Sequence, residues 1–309
     1  MSSGDRAIIV SALKHAAPYI RLFKGKIFVL KIGGEVFADP AQTRAVMEQV
    51  GILHQVGIKV VLIHGGGLQS TELARALGME STFVDGRRVT DGASLEVATM
   101  VLNGQINTRI LAVCRDLQIP AVGISGVDAG LIRAHRRPPV ERAGDTTVDY
   151  GFVGDIDAVD ADILRKQLDN GLMPVVSPLS CDESGVILNI NADTVAAAIA
   201  AELNAEKLIL ATGAPGILED INDAHSLISY VDRAELERLK TAGKLADGML
   251  PKAAAIEAAL TNGVSRVHVI SYKLPDSLLL EVFTNEGTGT LVVNDINALT
   301  PEEQAGDSR

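Results

Sequence analysis

Tryptophan is absent from the 309 residues, and all aromatics together make up only 3%. The core must therefore be assembled from Ala, Val, Ile and Leu, as in proteins built of alternating strand and helix layers. Cysteine is nearly as scarce. Cys114 and Cys181 stand far apart, with neither metal-site spacing nor a disulfide framework, so both read as small, buried or half-buried residues. Long apolar runs are missing too. The most apolar windows, Val60–Ile63 and Leu208–Ala211, are strand-length and too short to cross a bilayer. The N-terminal stretch carries Asp5, Arg6, Lys14 and His15 and lacks the layout of a secretory signal, so a cytoplasmic enzyme without membrane contact is expected. Positive charge is in deficit, with a net charge of -11. A nucleic-acid partner is excluded on that ground, because a phosphate backbone needs a basic face. A single nucleotide is not excluded, since a few local cations and backbone N–H groups suffice for it.

What is present is a soluble, globular composition, 47% hydrophobic and 22% charged. Apolar residues from Asp5 to Phe23 recur at helical spacing around Pro18, which predicts a kinked or broken helix. Ile27–Ile32 then reads as a buried strand, followed by a helix over Ala41–His54, a strand over Val60–Ile63 and a helix through Ala74. Further strands are expected at Ala121–Ile124, Val175–Ser177 and Leu208–Ala211, with Val267–Ile270 as the last. Strand, glycines, helix, strand is the grammar of a doubly wound parallel sheet. Arg133–Tyr150, with Pro138 and Pro139, reads as an exposed excursion or hairpin, and the tail after Ala298 as frayed.

Two of these strands end in glycines, Lys31-Ile32-Gly33-Gly34 and His64-Gly65-Gly66-Gly67. Open parallel sheets bind ligands outside the carboxyl ends of their strands. Glycine lets a backbone approach an anion closely, and the following helix adds N–H donors and a partial positive charge. Lys31 brings an ammonium to the same place. There is no G-x-x-x-x-G-K-[ST] loop and no G-x-G-x-x-G fingerprint, so each glycine cluster taken singly also reads as a tight strand–helix turn. Singly, Arg88 reads as a solvated loop residue, Lys252 as surface, and Asp193 as a carboxylate favourable to a helix N-terminus. His64 reads as structural.

The specific signal is the order of motifs. The two glycine loops are followed by Gly86-Arg87-Arg88-Val89-Thr90-Asp91 and Gly123-Ile124-Ser125-Gly126-Val127-Asp128. Gly151-Phe152-Val153-Gly154, Asn189-Ile190-Asn191-Ala192-Asp193 and Asp247-Gly248-Met249-Leu250-Pro251-Lys252 come next. From about Pro18 to Val293 the chain resembles the amino acid kinase family, and within it the branch that phosphorylates the side-chain carboxylate of N-acetyl-L-glutamate. The resemblance implies an α/β fold, a three-layer αβα sandwich around one mostly parallel sheet. It implies an oligomerising N-terminal helix over 1–25, an amino-acid lobe over 26–186 and an ATP lobe over 187–309. It further implies that Lys31 and Lys252 flank the transferring phosphoryl and that Asp193 holds them. Gly66 and Gly67 would donate N–H groups to the acceptor, Arg88 would grip its α-carboxylate, and Asn189 would bind the same amino acid. Gly33, Gly34, Thr212, Gly213 and Gly216 would serve ATP. Mg²⁺ would be carried by the ATP phosphates with no metal ligand from the protein.

Two departures from the family pattern stand out: Gly213 where relatives carry Asp, and Leu68 where a proline is common. Both ends resemble arginine-inhibited, hexameric members. The implied arginine site includes Glu286 and Gly287, and the implied assembly is a homo-oligomer, dimer or hexamer. Two alternatives stay open: a kinase for a carrier-linked aminoadipate derivative, and a catalytically silent arginine-binding regulatory subunit.

Overall fold

The computed structural model describes residues 3–299 other than 85–86, 143–145, 221, 224, 246–247 and 286. Eight strands form one large sheet. Their order is Tyr230–Asp232, Thr290–Val293, Val267–Ser271, Lys207–Thr212, Ile27–Ile32, Lys59–His64, Met173–Ser177 and Ala121–Ser125. Every pairing is parallel except that of Thr290–Val293 with Val267–Ser271. The strand expected last is thus followed by another, Thr290–Val293, which closes back beside it.

The central strands are buried along almost their whole length, only the first residues Ile27 and Lys59 being half-buried, and residue alternation divides them between two cores. Phe28, Leu30 and Ile32 point to one face, where they meet Met47, Val50 and Leu53 of the helix Pro40–Gln55. Val29, Val61, Leu208 and Leu210 point to the other, against Val195, Ile199 and Ile256 of the helices Ala192–Glu202 and Leu250–Thr261. A sheet with an aliphatic core on each face is the three-layer arrangement expected. A second sheet, in the order Ile187–Asn189, Leu179–Cys181, Ile132–Arg136 and Gly154–Val159, lies apart from it. The described residues thus carry, beside the large, mostly parallel central sheet that was expected, this smaller sheet and two short two-stranded pairs. The proline-bearing excursion is a hairpin, Val140–Arg142 against Thr146–Val148.

The N-terminal helix runs unbroken from Ser3 to Phe23 through Pro18. The break expected there does not occur: Lys14, whose carbonyl loses its amide partner to Pro18, is exposed, and water can take the freed group. No helix among the described residues is long and apolar enough to cross a membrane.

Candidate active site

At the carboxyl ends of the central strands the two glycine loops touch backbone to backbone. A Cβ on Gly34 would lie 2.8 Å from both Cα and N of Gly66, which only glycine permits. Gln69, one turn into the helix Gly67–Ala76, donates to the Gly34 carbonyl at 2.5 Å and ties the loops together.

Lys31 lies one residue before the end of its strand, on the Val29 face, and so points toward the helix Ala192–Glu202. That helix starts beneath it. Asn191 caps it by accepting from the amides of Asp193 and Thr194, which fixes Asp193 in the first turn. The Lys31 ammonium lies 2.9 Å from Asp193 Oδ1, and both side chains are buried. Lys252, in the first turn of a helix opened by Pro251, brings its ammonium to 3.7 Å from Oδ2 and donates to the Gly248 carbonyl. Burial pushes the Asp193 carboxyl up, but Lys31 and then Lys252 outweigh it and hold the group below the usual carboxylate range. Two ammonium groups on one carboxylate leave a net positive charge facing the space above the glycine loops.

That space is a cleft of about 1040 Å³. Lys31, Gly33, Gly34, Gly66, Gly67, Arg88, Asn189, Asp193, Thr212, Gly213 and Lys252 all line it, although they span most of the chain. At one wall Arg88 donates to Ser81 and Thr71, each at 2.6 Å, and to the Gly67 carbonyl at 3.0 Å, with its guanidinium stacked 4.7 Å from the Phe83 ring centre. Half-burial draws its pKa down. Asn189 donates weakly to the Thr90 hydroxyl at 3.4 Å. Thr212 spends its hydroxyl on its own turn, accepting from the Ala214 amide and donating to the Ala214 carbonyl.

Gly216, expected with the nucleotide, does not line this cleft. It is buried where a Cβ would meet Leu227 and Thr290 at 2.6 Å, so its constraint is packing. Gly287 lies at a second cavity, and Glu286 falls outside the described residues, as do Gly86 and Asp247 of the quoted motifs. Within the arginine-threonine-aspartate motif, Asp91 acts locally and caps the helix Gly92–Thr99 through the Ser94 amide. Glu35 and Tyr272 also line the cleft and escaped sequence reasoning. Each directly follows the end of a strand or its glycines, which was the signal available.

The second cavity, about 370 Å³, opens between the N-terminal helix and the far end of the sheet. Tyr19 and Phe23 form one wall, and Lys207, His268, Glu281 and Gly287 the other. Lys207 Nζ lies 3.1 Å from His268 Nε2, and His268 Nδ1 donates to Glu281 at 2.6 Å. Lys207 can only donate, so Nε2 accepts and the imidazole is neutral. Burial holds its pKa at about 4, with Lys207 adding to the effect.

Residues 26–271 match the model of the amino acid kinase family. An acetylglutamate kinase of Myxococcus xanthus (strain DK1622) is 46% identical over 301 residues, covering 96% of this chain and 97% of that one. An acetylglutamate kinase of Symbiobacterium thermophilum (strain DSM 24528 / JCM 14929 / IAM 14863 / T) is also 46% identical, over 94% of this chain and 98% of that one. Among solved structures, an N-acetylglutamate synthase from Neisseria gonorrhoeae, complexed with coenzyme A and N-acetyl-glutamate, aligns with a TM-score of 0.81 at 30% identity. That alignment covers 93% of this chain but only 63% of the synthase. A structure of the same synthase with coenzyme A and L-arginine aligns with a TM-score of 0.80.

Proposed function

The chain belongs to the amino acid kinase family, and on that premise we propose that it transfers the γ-phosphoryl of ATP to the side-chain carboxylate of N-acetyl-L-glutamate. The product, N-acetyl-L-glutamyl 5-phosphate, serves arginine biosynthesis. The observation that carries the reading is the pair of ammonium groups on Asp193, set above two touching glycine loops. Phosphoryl transfer between two anions needs positioning and charge stabilisation, and little covalent help from the protein. The acceptor carboxylate is already ionised, so no general base is required.

In this mechanism Lys31 and Lys252 neutralise the charge that develops on the transferring group, and Asp193 keeps them from moving apart. Backbone N–H groups of Gly66 and Gly67, at the positive end of their helix, meet the acceptor. Arg88 binds the α-carboxylate with Asn189 beside it, and Gly33, Gly34, Thr212 and Gly213 face the nucleotide. Asp193 is already committed to two lysines, which does not suit it to a divalent cation. No cluster of three metal-ligating side chains occurs among the described residues. In this reading Mg²⁺ enters as part of MgATP, carried by its phosphates. The acceptor lobe ends near Val186, and the ATP lobe follows.

L-Arginine is proposed for the second cavity, where Glu281 is a buried carboxylate and Gly287 packs so near that a Cβ there would fall 3.1 Å from Glu281 Oε2. Assembly as a homo-oligomer would use the N-terminal helix, which leaves Ile8, Ile9, Val10 and Leu13 exposed. An ADP-release assay with N-acetylglutamate, glutamate and aspartate, each supplied separately, tests the main reading. Turnover with N-acetylglutamate alone is expected. Release only with glutamate or aspartate, or with none, would overturn it.

A further inference from the structure

A chain of hydrogen bonds runs under the second glycine loop, and it begins at an unusual turn. Residues Met100–Asn107 form a π-helix, a rare wide turn that is frequent at functional sites. Its last residue, Asn107, is buried, and its amide nitrogen donates to the Val175 carbonyl at 2.9 Å. A carbonyl can only accept, so this bond fixes which end of the amide is nitrogen. The same nitrogen lies 3.2 Å from His64 Nε2, and having only protons to offer, it makes Nε2 the acceptor. The His64 proton must then sit on Nδ1, which lies 3.1 Å from the Gly65 carbonyl and donates to it. That carbonyl shares a peptide plane with the Gly66 N–H. The peptide is trans, so the two groups point in opposite directions. Among the described residues nothing accepts from the Gly66 N–H, and Gly66 lines the cleft.

We infer that His64 is a positioning residue: through the Gly65 carbonyl it aims the Gly66 N–H at the acceptor and the transferring phosphoryl. The Asn107 amide sets the tautomer this requires. Gly123 completes the device, because a Cβ there would fall 2.1 Å from Asn107 Oδ1. His64 touches no substrate. It supplies preorganisation to a loop of glycines that otherwise has wide freedom to rotate its peptides. This role rests on the kinase reading above.

Two substitutions separate the two ring nitrogens. His64→Asn places an amide nitrogen where Nδ1 stands and keeps the donor to Gly65. His64→Gln reaches the place of Nε2 and loses that donor. We expect His64→Asn to hold kcat within about threefold. His64→Gln should lower it about 10²-fold, as when one oriented anion donor is lost, with KM for both substrates and the thermal midpoint little changed between the variants. Nitrogen-15 NMR of the parent should show His64 as the Nδ1–H tautomer at neutral pH, a readout that stands even if neither variant folds. An active parent whose variants lose kcat alike, or a parent with the Nε2–H tautomer, overturns this role and leaves the kinase reading intact. A parent that releases no ADP with N-acetylglutamate overturns the kinase reading and this role with it.

Discussion

The Lys31 ammonium lies 2.9 Å from Oδ1 of Asp193, in a buried pair whose members come from opposite halves of the chain. Burying such a pair is costly and on its own does little for stability. Its presence makes sense if the second cation, Lys252 at 3.7 Å from Oδ2, leaves an uncompensated positive charge for a transition state. Lys31→Ala and Lys252→Ala should each lower kcat by on the order of 10²-fold or more, with binding of N-acetylglutamate changed less. Asp193→Asn should lower kcat too, and also destabilise the fold by about 3–5 kcal/mol by stranding buried charge. Steady-state kinetics and urea unfolding of the three variants check this; near-parental kcat in either lysine variant would remove the two-ammonium mechanism.

Arg88 is held by Ser81, Thr71 and the Gly67 carbonyl through three of its five donors. Its planar fork is thus oriented before any ligand arrives. Arg88→Lys keeps the charge and loses the fork, so KM for the amino-acid substrate should rise while KM for ATP moves little. An equal rise in both constants would take Arg88 off the α-carboxylate.

Strands with glycine ends were legible because burial on both faces writes itself as an apolar run, as in Ile27–Ile32 and Lys59–His64. The Lys31–Asp193–Lys252 trio was legible only through motif order. Nothing local in Asp193 announces that Lys31, far away in sequence, will lie beside it, because the register of parallel strands is set by tertiary packing. Gly216 does not line the cleft, which the sequence could not tell: a glycine needed for close packing against Thr290 and one needed for a phosphate look the same there. Pro18 was read as a breaker, yet an exposed helix can lose one amide bond to water and continue. The π-helix at Met100–Asn107 left no periodic trace, so Asn107 and its bond to His64 were invisible before the fold.

Histidine burial predicts a pH dependence of stability. Burial holds both His64 and His268 at about 4, against an ordinary value of 6.5. As pH falls below 6.5 the unfolded chain takes up a proton at each site while the native chain does not, so stability drops until both states are protonated below about 4. The slope should approach about 1.4 kcal/mol per pH unit for each histidine. Glu281, held at about 2, acts in the same direction only once the unfolded carboxylate begins to protonate, nearer pH 4.5. The window from pH 6.5 to 5 therefore isolates the histidines. Urea unfolding across that window should show a shallower slope, by one proton, in His64→Asn. An unchanged slope would mean that His64 is not held neutral.

The N-terminal helix links the second cavity to the proposed assembly. Tyr19 bonds to Asn285, and Lys207 lies 5.1 Å from the centre of the Phe23 ring, so the helix is a wall of the cavity proposed for arginine. The same helix turns Ile8 and Leu13 outward, 69% and 63% exposed, an apolar stripe that a second copy of the helix could cover. One element would then serve two ends: closing the effector cavity and joining protomers. A ligand shifts a conformational balance only by binding one state better, and a wall shared with the proposed interface would let arginine sense the assembled arrangement. Deleting residues through Arg21 should leave the Lys31–Asp193–Lys252 trio intact and kcat close to the parent's. It should reduce the oligomer measured by light scattering and weaken inhibition by arginine together. A truncated chain that keeps its parent's mass and arginine response would separate the helix from both roles. Loss of assembly with inhibition unchanged would leave the cavity complete without that part of the helix, against the contact that Tyr19 makes with Asn285.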